Sequence, residues 1–126
     1  MSVRDVIKII DFTFQGIDIA ACISICDSDG LVLYNVGECA DQWLLEGISA
    51  YLIMAFESTL EKLVSFNEVL DSLIINSGDY VFYIDDLQGG ESLYIIIKTS
   101  TERMHKVQPF LKSAVRAIER SLMDLG

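Results

Sequence analysis

A chain of 126 residues, 52% of them apolar and 22% charged, has the length of one domain and too much apolar content to stay disordered. Its formal charge of −10 excludes nucleic acid and an anionic membrane surface, both of which need clustered Lys and Arg. The charge is also uneven: residues 1–97 carry three bases against sixteen acids, residues 98–126 carry six bases against three acids, and no Lys or Arg lies between Ile9 and Glu61.

Val3, Val6, Ile7, Ile10 and Phe14 share one helical stripe, and Ser2 with Asp5 offers an N-terminal cap, so residues 3–14 read as a helix that Gly16 ends. Ile19 to Cys26 is β-branched and apolar, Asp27-Ser28-Asp29-Gly30 is a tight-turn signal, and Leu31 to Val36 supplies the returning strand of a hairpin. After Gly37, Asp41 can cap a long helix reaching about Leu63 or Val64. Val69 to Ile75, Tyr80 to Ile84 and Leu93 to Thr99 read as three strands, joined at Asn76-Ser77-Gly78-Asp79 and at Gln88-Gly89-Gly90. Thr99 with Glu102, or Ser100 alone, opens a final helix through Val107, Leu111, Ala114, Ile118 and Leu122. Pro109 means either that this helix begins there or that the preceding turn is kinked.

The order αββαβββα, with tight turns between strands, predicts an α+β domain over residues 1–126 built on a five-stranded antiparallel sheet. Ile19 to Cys26 and Leu93 to Ile97 are apolar on both faces, which makes them central strands with helices on either side. The expected architecture is a three-layer sandwich, one long helix on one face and two helices on the other.

The long helix carries more apolar surface than one face of a sheet can take. At about 100° per residue, Leu44, Leu45, Ile48, Leu52, Ala55, Phe56 and Leu63 form the sheet-facing stripe. Trp43, Ile53, Met54 and Leu60 fall away from it among Glu46, Glu57 and Glu61, and such an outward set reads as an interface.

Residues that could carry chemistry are few. His105 is the only His, no G-x-S-x-G elbow exists, and a His at a helix entrance reads as a surface or capping residue. Cys22, Cys26 and Cys39 form an odd set without metal spacing and read as reduced thiols; Cys39, in a loop, is the candidate reactive one, although Glu38 beside it raises its pKa. Asp27, Asp29 and Gly30 start like a calcium loop but lack its remaining ligands, and Asp85-Asp86 reads as turn chemistry. No phosphate-binding glycine loop is present, so neither nucleotide nor any other cofactor is expected. No apolar run approaches the ~20 residues of a membrane span, and Asp5, Lys8 and Asp11 interrupt any signal-peptide core, which together point to the cytoplasm.

The stretch ISICDSDGLVLYNVG, a long helix, and strands ending LYIIIKTS before a last helix together resemble the roadblock (dynein light chain) family, over Ile17 to Leu122. The last helix begins Thr101-Glu102-Arg103-Met104-His105 where family members often carry an Asn-Leu-Gly-like segment, so contacts at that corner are not carried over. The resemblance implies a non-enzymatic homodimer, or a heterodimer with another roadblock protein, that regulates or scaffolds a Ras-like small GTPase. It implies pairing of the edge strand 69–75 with its copy, through Leu70, Ser72 and Ile74, beside Trp43, Glu46, Ile53, Met54, Glu57 and Leu60 of the paired long helices. The competing reading is a small-ligand sensor of PAS/GAF or profilin/longin type, which would need an internal pocket with convergent polar groups.

Overall fold

The carboxylate of Asp27 organises the first hairpin: its Oδ1 accepts from the amides of Asp29 (2.9 Å) and Leu31 (3.0 Å), while Gly30 N donates to the Asp27 carbonyl at 3.0 Å. These bonds use one of the two Asp27 carboxylate oxygens to hold the turn. The computed structural model describes residues 4, 5, 8, 9, 12, 22–37, 39, 42–87 and 93–125, and for 36, 42–46, 122, 123 and 125 the backbone alone. Its elements are β1 (Cys22–Asp27), β2 (Val32–Gly37), α1 (Gln42–Val64), β3 (Ser72–Ser77), β4 (Tyr80–Leu87), β5 (Leu93–Ser100) and α2 (Thr101–Leu125). Arg4, Asp5, Lys8, Ile9 and Phe12 are helical; the apolar stripe Val3, Val6, Ile7, Ile10 and Phe14 lies outside the described residues, as does the expected strand start at 19–21.

All strand pairs are antiparallel and the spatial order is β2-β1-β5-β4-β3. The α+β, roadblock-like sandwich expected from the sequence is the one observed, with β1 and β5 interior. Alternation along the strands splits the core in two. On one face Cys22, Cys26, Val32, Phe82, Ile84, Tyr94 and Ile96 pack under Leu52, Ile53 and Phe56 of α1. On the other, Ile23, Ile25, Val81, Tyr83, Leu87, Ile95 and Ile97 pack under Met104, Val107, Leu111, Val115 and Ile118 of α2, and Ile9 joins them. The acidic long helix and the basic last helix therefore cover opposite faces of the sheet.

The start of β3 and the end of β4 differ from expectation. β3 begins at Ser72 rather than Val69, because α1 closes with Asn67 in a left-handed conformation (φ 59°), Glu68 N bonding Leu63 O and Asn67 N bonding Val64 O. That cap turns the chain and leaves Val69 81% exposed ahead of the strand. Asp85 and Asp86 are strand residues of β4, not turn residues, since the strand runs on to Leu87. α2 starts at Thr101, as the Ser100 alternative predicts, and Pro109 lies inside it rather than at its beginning.

Ser100 is the cap of α2, its Oγ accepting from Arg103 N at 3.2 Å. Ser100→Ala should lower stability by about 1 kcal/mol in urea unfolding, the usual cost of removing a helix N-cap.

Candidate functional site

Among the described residues β3 is an edge strand, bonded to β4 alone, and its free edge is the first half of the candidate interface. Of the three residues assigned to it, Ser72 is half-buried on the α2 face opposite Asp85, and Ile74 is 39% exposed opposite Tyr83. Leu70 precedes the strand and packs with Leu73 and Ile75 against the core under α1. Ile74 also forms the apolar side of a groove of about 260 Å³ with Val81 and Met104, rimmed by Thr101, His105 and Gln108.

The outer face of α1 is the second half. Met54 is 62% exposed there, as expected. Ile53 corrects the sequence reading: it is 1% exposed and packs in the core beneath α1. Leu60 is likewise half-buried against the same core. The true sheet-facing stripe is Ile48, Ser49, Leu52, Ile53, Phe56 and Leu60, rotated by about half a residue from the expected one, with Ile48, Leu52 and Phe56 common to both. A helix with apolar residues all round offers no sharp phase to read. Tyr51, 76% exposed one turn before Met54, belongs to the outer face and was not singled out from the sequence. The side chains of Trp43 and Glu46 lie outside the described residues.

Glu57 stands at the flank of α1, where its carboxylate accepts from Tyr94 Oη at 2.8 Å. Burial and the Glu57 carboxylate together hold the Tyr94 hydroxyl above its ordinary pKa. Tyr94 in turn meets Phe56 edge to face, with ring centroids 5.8 Å apart, so the acidic flank is built into the core that fixes α1.

A polar cluster unforeseen in the sequence lies beneath α2, next to the strand edge. Asp85 is 1% exposed; its Oδ2 accepts from Tyr83 Oη at 2.9 Å and from Arg116 Nη2 at 3.4 Å, while Oδ1 finds no donor among the described residues. Arg116 also donates to Glu119. Burial pushes the Asp85 carboxyl up to about 6, against the opposing effects of the Tyr83 hydroxyl and the Arg116 guanidinium. Burial, then the Glu119 charge, raises Asp86 as well. Nearer the surface, Lys112 Nζ pairs with Asp71 at 3.2 Å, linking α2 to the segment entering β3.

The cysteines also depart from expectation. Cys22 and Cys39 are joined in a disulfide, and Cys26 is a buried cysteine outside that bond. The hairpin register explains the pairing: Gly37 sits opposite Cys22, and its φ of 95° lets the chain turn back so that Cys39 reaches the strand. Among the described residues no group of three or more His, Cys, Asp or Glu side chains is placed to hold a metal ion, and no helix is long and apolar enough to cross a membrane.

A five-stranded antiparallel sheet in this order, with the long helix between the second and third strands on one face and the last helix on the other, is a roadblock-like fold. Solved structures of that fold superpose on nearly the whole chain. Myxococcus xanthus MglB matches with a TM-score of 0.76 at 9% identity, covering 98% of this chain and 91% of that one. An MglB with a tetrameric arrangement matches at 0.72 and 14% identity, covering 96% and 90%. A Roadblock/LC7 domain from Streptomyces avermitilis matches at 0.70 and 12% identity, covering 94% of each chain. The sequence itself matches no family model and no curated protein.

Proposed function

We propose that the chain is a non-enzymatic, homodimeric regulator or scaffold that binds a Ras-like small GTPase in the cytoplasm. One observation carries the reading: an unpaired strand edge with Ile74 exposed occurs in the same molecule as an outer helix face exposing Tyr51 and Met54. Pairing two β3 edges across a twofold axis would cap the open hydrogen-bonding row and cover both helices with their copies. The tetrameric arrangement of a related fold supports self-association, and another roadblock chain could take the place of the second copy. The filled layers on both sides of the sheet favour an interaction module over a small-ligand sensor.

Sedimentation should return twice the 14.1 kDa chain mass at micromolar concentrations. Tyr51→Glu with Met54→Glu should weaken that association about tenfold or more, since charges would be buried without partners at the interface core. A monomeric wild-type mass at those concentrations sinks the dimer. For the GTPase, the check is capture of GTPases from native lysate with and without a non-hydrolysable GTP analogue. A capture pattern blind to the added nucleotide, with no GTPase retained in either case, removes that partner.

A further inference from the structure

The bond between Cys22 and Cys39 is added to a fold that has cores of its own. Two filled layers of apolar side chains already hold the sheet to its helices, and the chain is long enough to fold without cross-links. Its position is more telling. Cys22 lies on the α1 face of β1, 3% exposed, and Cys39 is half-buried against the same core three residues before α1 begins at Gln42. The bond therefore ties the entry of the long helix to a central strand. Cys39 keeps part of its surface in solvent where Cys22 keeps almost none, so an external thiol reaches Cys39 first. Ser24 Oγ, 3.6 Å from Cys22 Sγ, can donate to a thiolate left on Cys22. Cys26 cannot substitute. It lies four residues along an extended strand, roughly 13 Å away at ~3.3 Å per residue, beyond the ~7 Å Cα separation that a disulfide tolerates.

We propose that Cys22 and Cys39 form a reversible thiol–disulfide site, where a low-molecular-weight thiol or disulfide reacts at Cys39, Cys22 resolves the adduct, and redox state pins or releases the start of α1. For closure, the Cys39 thiolate attacks a small disulfide such as glutathione disulfide, forming the mixed disulfide and expelling one glutathione thiolate. The Cys22 thiolate then attacks Cys39 Sγ, forming the internal bond and expelling the second. The two cysteine protons end on the two glutathione thiols, so two glutathiones are produced for each bond closed. Opening reverses these steps, with thiolate attack on Cys39 and Cys22 as the leaving group. This site stands apart from the reading of the partner, and its test uses none.

The full chain is equilibrated in glutathione buffers of graded ratio, quenched in acid, alkylated in denaturant and weighed. One alkylated thiol, Cys26, is expected at the oxidising end and three at the reducing end, with the same curve in both directions. Reduction should speed hydrogen exchange of amides at the start of α1 about tenfold or more relative to β5, and lower the melting temperature by roughly 10 °C. Cys22→Ser should accumulate one glutathione on Cys39, and Cys39→Ser none, because Cys22 is buried. Three alkylated thiols after glutathione disulfide treatment overturn the proposal. So does unchanged exchange at the start of α1 between the two states of the wild-type chain, a readout that does not depend on any variant folding.

Discussion

Gly30→Ala should be among the most damaging single-methyl additions in this chain, lowering the unfolding free energy by about 2–5 kcal/mol. Two costs coincide there. The residue holds φ +86°, a left-handed conformation that an L side chain occupies at about 1–2 kcal/mol. A Cβ would also lie 2.5 Å from the Cα and 2.7 Å from the backbone nitrogen of Ala50 in α1. Neither backbone atom can step aside without moving the helix, and overpacking of that kind adds about 1–3 kcal/mol. Gly78 provides the control. It too has positive φ (+60°), but a Cβ there meets nothing within 4 Å, so Gly78→Ala should cost only the conformational part, about 1 kcal/mol. Urea unfolding of the two variants separates the terms. Equal losses would mean that the hairpin turn does not bear on α1.

The contact between Gly30 and Ala50 shows where the sequence could be read and where it could not. Asp27 to Gly30 announced a turn, and the turn is there, because its hydrogen bonds are local. That the same glycine is the seat of α1 depends on packing across the sheet, which no local pattern records. The helices divide in the same way. The last helix keeps most of its apolar residues to one side, with Phe110 left 60% exposed, so the expected Val107, Leu111, Ala114 and Ile118 are all buried. The long helix is apolar on every side, so its phase slipped by about half a residue: Ile53 and Leu60 went inward, and only Met54 among the described apolar choices stayed exposed on the expected face. The open edge was legible as a strand but not in its first residues, where the Asn67 cap overrides the alternation of Val69 to Asp71. Pairings distant in sequence, Cys22 with Cys39 and Asp85 with Arg116, needed the sheet register before they could be seen.

The second large effect concerns that last pair. Ionised Asp85 is harder to hold in the fold than in the unfolded chain, since burial has raised its carboxyl from 3.8 to about 6. The folded state therefore binds the proton more tightly. Stability from this group is fully present below about pH 4 and is lost as pH rises through about 6, a difference of about 2–3 kcal/mol. Lowering pH from 7.5 to 4.5 should then stabilise the wild-type chain, which is opposite to the behaviour of salt-bridged surface carboxylates. Asp85→Asn keeps the size of the side chain and an acceptor for Tyr83 Oη while removing the charge. It should flatten the pH dependence between 4.5 and 7.5 and match or exceed wild-type stability at pH 7.5.

Arg116→Met should do the reverse at pH 7.5, costing about 1–3 kcal/mol because the carboxylate loses its cation in a buried site; the value is held below a fully buried pair because the Arg116 side chain is 32% exposed and sits 3.4 Å away. In the Asp85→Asn background the same substitution should cost far less, and that difference isolates the pair from the Arg116 bond to Glu119. Additive losses in this cycle would assign the work of Arg116 to Glu119 alone. Coupled losses would make Asp85 the point where protonation sets how firmly α2 grips β4 and, through Ser72 opposite it, the edge strand of the proposed interface.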